Sequence, residues 1–167
     1  MSEKKIMVRK AVPKDVVNIV KLLTGGWNEQ TVEYAPIDDL RGFRWILDII
    51  EEGFLAIADL NGRIVGAACA SPYKPAWSHQ WLLDMEFLYI MPSFRGDELA
   101  AQLVKAVTGF ADSVKLPMTF GIQSGDRPVV KDRLIQTLGW QYVGGNFLRP
   151  SVTDGQEQDH NNKQLND

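Results

Sequence analysis

Cysteine, histidine and long apolar runs are all scarce in this chain. One cysteine, Cys69, stands among 167 residues. That excludes an internal disulfide and fits a reducing compartment such as the cytoplasm. Cys69 lies in an apolar run and reads as a small core residue rather than a nucleophile. The two histidines, His79 and His160, are far apart and have no cysteines beside them, so no metal-ligand spacing is present. No apolar run approaches the roughly 20 residues that span a bilayer. The N-terminal MSEKKIMVRK has charge without the apolar stretch of a signal peptide. A repeat with a period of about 20–50 residues, the mark of a solenoid or propeller, is also lacking.

What is present suits one ordinary globular domain. The formal charge is −3, and it is local. Residues 151–167 carry Asp154, Glu157, Asp159 and Asp167 against Lys163 alone, which leaves 17 residues of each sign in the body. A neutral body lacks the basic footprint of a nucleic-acid binder. Residues 1–150 are expected to form the domain, and 151–167 a polar acidic tail with too few apolar residues to fold alone. Such a tail suits contact with another chain, as in a homodimer or a larger assembly.

Periodicity and punctuation give the elements. Lys5–Val12 reads as a strand stopped by Pro13. A helix then opens at Asp15, with Val16, Ile19, Val20 and Leu23 at helical spacing, and Gly25-Gly26 is expected to end it. A second helix follows Asp38-Asp39, with Leu40, Phe43, Ile46, Leu47 and Ile50 on its buried side. Phe54–Leu60 and Arg63–Ser71 flank Asn61-Gly62, the strongest short signal of a type I′ hairpin. After the loop Ser71–His79, Gln80–Met91 reads as a long strand. Glu98–Val114 reads as a helix, Pro117–Ile122 as a strand and Arg127–Leu138 as a helix. Trp140–Arg149 supplies the last strand material, broken by Gly144-Gly145. The order is that of a mixed sheet with helices on its faces.

Three local patterns stand in that order. They are Val8-Arg9-Lys10-Ala11-x-x-x-Asp15, Leu88-Tyr89-Ile90-x-Pro92-x-x-Arg95-Gly96, and Leu138-Gly139-Trp140-x-x-Val143-Gly144. Together they resemble the Gcn5-related N-acetyltransferase (GNAT) superfamily over nearly all of residues 5–150. The resemblance implies an α/β (α+β) fold with a mixed, mostly antiparallel central sheet flanked by helices, its fourth and fifth strands splayed. It implies acetyl-CoA as co-substrate, with the pantetheine arm in that gap against backbone near Leu88, Tyr89 and Ile90. The loop Arg95-Gly96-Asp97-Glu98-Leu99-Ala100 would receive the pyrophosphate at a helix N-terminus, where free N–H groups attract anions. The implied reaction is direct attack on the thioester by an amine of a small molecule or a protein.

Against the family's pattern, Glu98 stands where a glycine is usual, and Asp97 and Glu98 add two carboxylates to an anion site. Acids in a first turn also stabilise the helix itself, by about 0.3–1 kcal/mol each. Pro128 and Ile135 replace an asparagine and a tyrosine that the family often carries, and isoleucine cannot protonate a thiolate. A second reading follows from these departures: a catalytically silent binding or assembly module on the same fold.

The candidate base is Glu86. Period-two alternation puts Asp84, Glu86, Leu88 and Ile90 on one strand face, and the resemblance implies a base there, since glutamates at this point of strand four serve as the base in some relatives. Burial there would raise its pKa, as suits a base working near neutral pH. The alternative is a structural ion pair with Arg9 or Arg44. Trp27, Tyr34, Tyr73 and Trp77 fall in expected loops, and Trp27, Tyr34 and Trp77 are the candidates for the rim of an acceptor pocket.

Overall fold

The computed structural model describes residues 5–29, 38–121 and 128–144. Five strands form one sheet in the order β1-β2-β3-β4-β5: β1 Met7–Lys10, β2 Phe54–Leu60, β3 Arg63–Tyr73, β4 Leu82–Ile90 and β5 Met118–Phe120. Neighbours are antiparallel except β4 and β5, which run parallel. The helices are α1 Val16–Asn28, α2 Asp39–Glu52, α3 Asp97–Val114 and α4 Pro128–Thr137. None of the described helices is long and apolar enough to cross a membrane.

The sheet separates two cores, because alternate strand residues face opposite ways. Ala56, Ala58, Val65, Ala68, Ala70, Leu83 and Met85 pack with Leu103, Val104 and Val107 of α3 and Ile135 of α4. On the other face Leu55, Ile57, Ala67 and Cys69 meet Val16, Ile19 and Leu22 of α1 and Ile46 and Ile49 of α2. Cys69 is wholly buried there, and its burial pushes the thiol pKa well up. It is a core residue.

The β2–β3 turn forms as expected: Asn61 and Gly62 both take positive φ, 52° and 89°. Two expectations are corrected. Gly25-Gly26 does not end α1, which continues through both glycines to Asn28. A Cβ on Gly26 would lie 2.6 Å from ring carbons of Tyr89. This glycine therefore serves the approach of the helix to β4, not its termination. The strand expected over Trp140–Arg149 is absent from residues 140–144, which run as coil. The rest of that segment lies outside the described residues. Trp140 instead sets its ring edge-to-face on Phe120, with centroids 6.4 Å apart.

Candidate active site

The site is built on an irregularity in β4. Cys69 pairs with Phe87 but Ser71 with Asp84, so Met85 and Glu86 together oppose the single residue Ala70. This is a β-bulge, and it shifts the side-chain alternation by one. Before it, Leu83 and Met85 face the α3 core; after it, Leu88 and Ile90 face that core while Phe87 and Tyr89 face α1 and α2. The face expected to carry Asp84, Glu86, Leu88 and Ile90 together is thus broken at the bulge.

Pairing with β5 covers only Leu83↔Met118 through Met85↔Phe120. Beyond the bulge, β4 has no strand on that side among the described residues. Met91 N–H donates to Val65 O at 2.9 Å. Antiparallel alternation therefore turns the backbone groups of Ile90 and Leu88 towards the open edge. Arg95 Nε already donates to Ile90 O there, at 3.0 Å.

The open edge leads into the start of α3. Gly96 is its N-cap and brings no capping side chain, and the first helical bond runs from Ala100 N–H to Gly96 O at 3.2 Å. The N–H groups of Asp97, Glu98 and Leu99 consequently have no acceptor within the helix. Leu99 and Ala100 bury their side chains in the core, so what they offer at this end is main chain. Glu98 stays in the first turn of the helix, and its carboxylate accepts from Gln102 Nε2 at 3.3 Å.

Glu86 sits at the bulge and is exposed, so the burial expected for it is not found. Nor does it form the alternative ion pair with Arg9, which binds Asp15 and Asp59 instead. One carboxylate oxygen accepts from the Trp45 indole N–H at 2.8 Å, the other from the Ser71 hydroxyl. Trp45 comes from α2 and meets Phe87 edge-to-face, with centroids 5.6 Å apart. The carboxylate therefore lies on the α2 side of the sheet, beside the point where β4 and β5 part.

The other sequence candidates scatter. Trp27 belongs to the last turn of α1 rather than to a loop. Tyr34 lies outside the described residues. Trp77 is 86% exposed in the turn before β4, and the structure does not bring it to Glu86. Ile135 is buried in the α3-side core, so that position offers no proton donor. Sequence reasoning missed Trp45, Ser71 and Glu29. For Trp45 a signal existed: it falls off the apolar stripe of α2, where a tryptophan has no core to fill. For the other two nothing local marks the role.

Glu29, just past α1, accepts from Tyr89 Oη at 2.5 Å and pairs with Arg95. The Arg95 guanidinium lies over the Tyr89 ring, 5.7 Å from its centroid. Burial, helped by donation to Glu29, raises the Tyr89 phenol to about 12. Glu29 is held below the usual carboxylate range by the Tyr89 hydroxyl first and by Arg95 second.

A mixed five-stranded sheet whose fourth strand bulges and parts from the fifth, with an uncapped helix start at its end, is the architecture of the GNAT-fold proteins. The chain belongs to the Acetyltransferase (GNAT) family, whose profile matches residues 18–128. No curated protein matches the sequence. Among solved structures it is similar to the aminoglycoside N-acetyltransferase AAC(6')-Iy in complex with CoA, at 17% identity and a TM-score of 0.68, over 90% of this chain and 97% of that one. It is also similar to a predicted acetyltransferase with acetyl-CoA from Clostridium acetobutylicum. There the identity is 16% and the TM-score 0.70, over 88% and 96% of the two chains. A transcriptional regulator from Bacillus halodurans shares the fold at 20% identity and a TM-score of 0.65, over 88% and 100%.

Proposed function

We propose that the protein is an acetyl-CoA-dependent N-acetyltransferase acting on a primary amine, with a small-molecule amine favoured over a protein amine. The observation that carries this reading is the placement of Glu86. A hydrogen-bonded carboxylate stands on one side of the sheet, at the bulge where β4 begins to lose its partner strand. The residues fit the co-substrate. The main-chain edge at Leu88 and the Ile90 N–H, with no strand beside them among the described residues, suits the amides of a pantetheine arm, and the N–H groups at the start of α3 that have no acceptor within the helix suit a diphosphate. Relatives of the same fold were crystallised with CoA and acetyl-CoA, and AAC(6')-Iy also with a bisubstrate analogue, CoA-S-monomethyl-acetylneamine. Those complexes support a small amine as acceptor. In this reading the protein works in the cytoplasm and touches neither nucleic acid nor membrane.

Acetyl-CoA supplies the acetyl group as a thioester, and the chain supplies positioning and a base. Glu86 takes the proton from the acceptor ammonium, so that the free amine can attack the carbonyl carbon. Trp45 and Ser71 fix the carboxylate and leave it lone pairs for that proton. The Leu88 N–H, turned to the open edge, donates to the thioester oxygen as negative charge develops on it. The attacking nitrogen gives up its second proton as the C–S bond breaks, and with Ile135 packed in the core water relays that proton to the departing thiolate.

Glu86→Gln keeps the shape of the side chain and one accepting oxygen but cannot take a proton. Turnover should fall about 10²–10⁴-fold, the usual worth of a general base, while calorimetry shows acetyl-CoA binding little changed. Full turnover in a folded Glu86→Gln protein would remove Glu86 from the mechanism. Absence of acetyl-CoA binding to the wild-type protein would replace the enzyme by a silent binding module.

A further inference from the structure

Three separate parts of the chain meet at Glu29: the end of α1, the last residues of β4, and the loop from Met91 to Gly96. Each of the two carboxylate oxygens has its own donor, Tyr89 from β4 and Arg95 from the loop. Arg95 is also tied by Nε to Ile90 O and by its face to the Tyr89 ring. A guanidinium held at three points has little freedom left. Gly96, next in the chain, is the N-cap of α3. The place of the unpaired N–H groups of Asp97, Glu98 and Leu99 is therefore set largely by where Arg95 is held.

The ion pair also has an electrostatic consequence. Glu29 neutralises the one cationic side chain of the loop 91–100, in which Asp97 and Glu98 are the acids. The loop cannot then act as a point-charge trap for phosphate. What it offers is main-chain geometry, and geometry must be fixed in advance to be useful.

We propose that Glu29 is a positioning residue for the co-substrate: by clamping Arg95 and Tyr89 it holds the loop 91–96, and with it the start of α3, where the diphosphate is received. This rests on the acetyl-CoA reading above. Glu29 touches neither reacting atom, so its removal acts on binding more than on chemistry.

The test is steady-state kinetics on the full chain with acetyl-CoA and an amine acceptor, alongside calorimetry with acetyl-CoA. Glu29→Ala should raise KM for acetyl-CoA about tenfold, with kcat changed no more than about threefold. Glu29→Gln, which keeps one acceptor oxygen in place, should recover part of the loss. A merely structural role lowers the melting temperature and the active fraction, and leaves KM where it was. The tyrosine absorbance gives a second readout. The Tyr89 phenol, pushed up to about 12 by burial and by donation to Glu29, should titrate lower in Glu29→Ala, because the acceptor of its proton is gone; Arg95 and Lys131 are the other charges acting on the cluster. An unchanged KM in Glu29→Ala, or a lowered one because Arg95 is freed to attract phosphate, overturns the positioning role while acetyl-CoA binding stands. If wild-type protein does not bind acetyl-CoA, the reading beneath falls and takes this inference with it.

Discussion

Arg9 explains why the first sequence pattern has the form it does. Its Nη1 and Nη2 donate to the two oxygens of Asp15 at 2.8 and 3.0 Å, and its Nε to Asp59 at 3.0 Å. Asp15 also accepts from Val12 N–H at 2.9 Å. The spacing from Arg9 to Asp15 is thus the span of one turn that brings a strand residue and a helix-entry residue face to face. Arg9 chiefly, and the Val12 N–H after it, hold the Asp15 carboxyl below its ordinary pKa. Asp15→Ala should cost about 2–3 kcal/mol, less than the 3–5 of a fully buried pair because Arg9 keeps water contact. In a chain of this length that lowers the melting temperature by roughly 5–10 °C. The sign with pH follows from the lowered folded value. The stabilisation is complete above the unfolded carboxylate pKa of about 3.9 and is lost as pH falls through the folded one. The gap between wild type and Asp15→Asn in thermal melts should therefore hold at neutral pH and close in acid.

At the scale of elements, α1 contains a paired experiment. Gly25 has nothing within 4 Å of an added Cβ, whereas Gly26 has the Tyr89 ring at 2.6 Å. Replacing a helical glycine by alanine gains up to about 1 kcal/mol where space allows. Gly25→Ala should therefore raise the melting temperature by a few degrees. Gly26→Ala should lower it, and should raise KM for acetyl-CoA by pushing Tyr89 away from Glu29. Equal effects of the two substitutions would show that the contact between α1 and β4 is not tight. The same pair shows why this part of the sequence misleads. Two glycines at the end of an apolar stripe are a stop signal by local rules, and only a ring arriving from residue 89 reveals Gly26 as a close-approach position. Where local chemistry decides, the sequence sufficed: Asn61-Gly62 makes its turn without help from elsewhere, and α3 ends at Val114 as expected. The bulge at Met85–Glu86 was hidden, because two-residue alternation looks regular until strand pairing interrupts it. Tertiary contacts of Glu86, with Trp45 41 positions away, have no sequence-local trace at all.

For the whole molecule, the question is how much chain the domain needs. The buried residues of the two cores come from helices and strands spread from Ala11 to Ile135, with α3 and α4 on one face of the sheet and α1 and α2 on the other. Residues 151–167 have Val152 and Leu165 as their only aliphatic side chains. Fully burying both would return about 3–6 kcal/mol. Ordering each backbone residue costs about 1–2 kcal/mol, so fixing the whole segment costs several times that return. The tail is therefore expected to add nothing to the stability of the domain. Deletion of 151–167 should leave the melting temperature within a few degrees of the full chain, and kcat and KM for acetyl-CoA with it. The deletion also removes the whole formal charge of −3, so a self-association driven by the tail should disappear. Sedimentation of the full and shortened chains, at low and high salt, checks this directly. A dimer in the full chain that is lost on deletion and weakened by salt would assign the tail to assembly. A large fall in melting temperature on deletion, at a protein concentration where both chains are monomers, would show that the tail packs on its own domain.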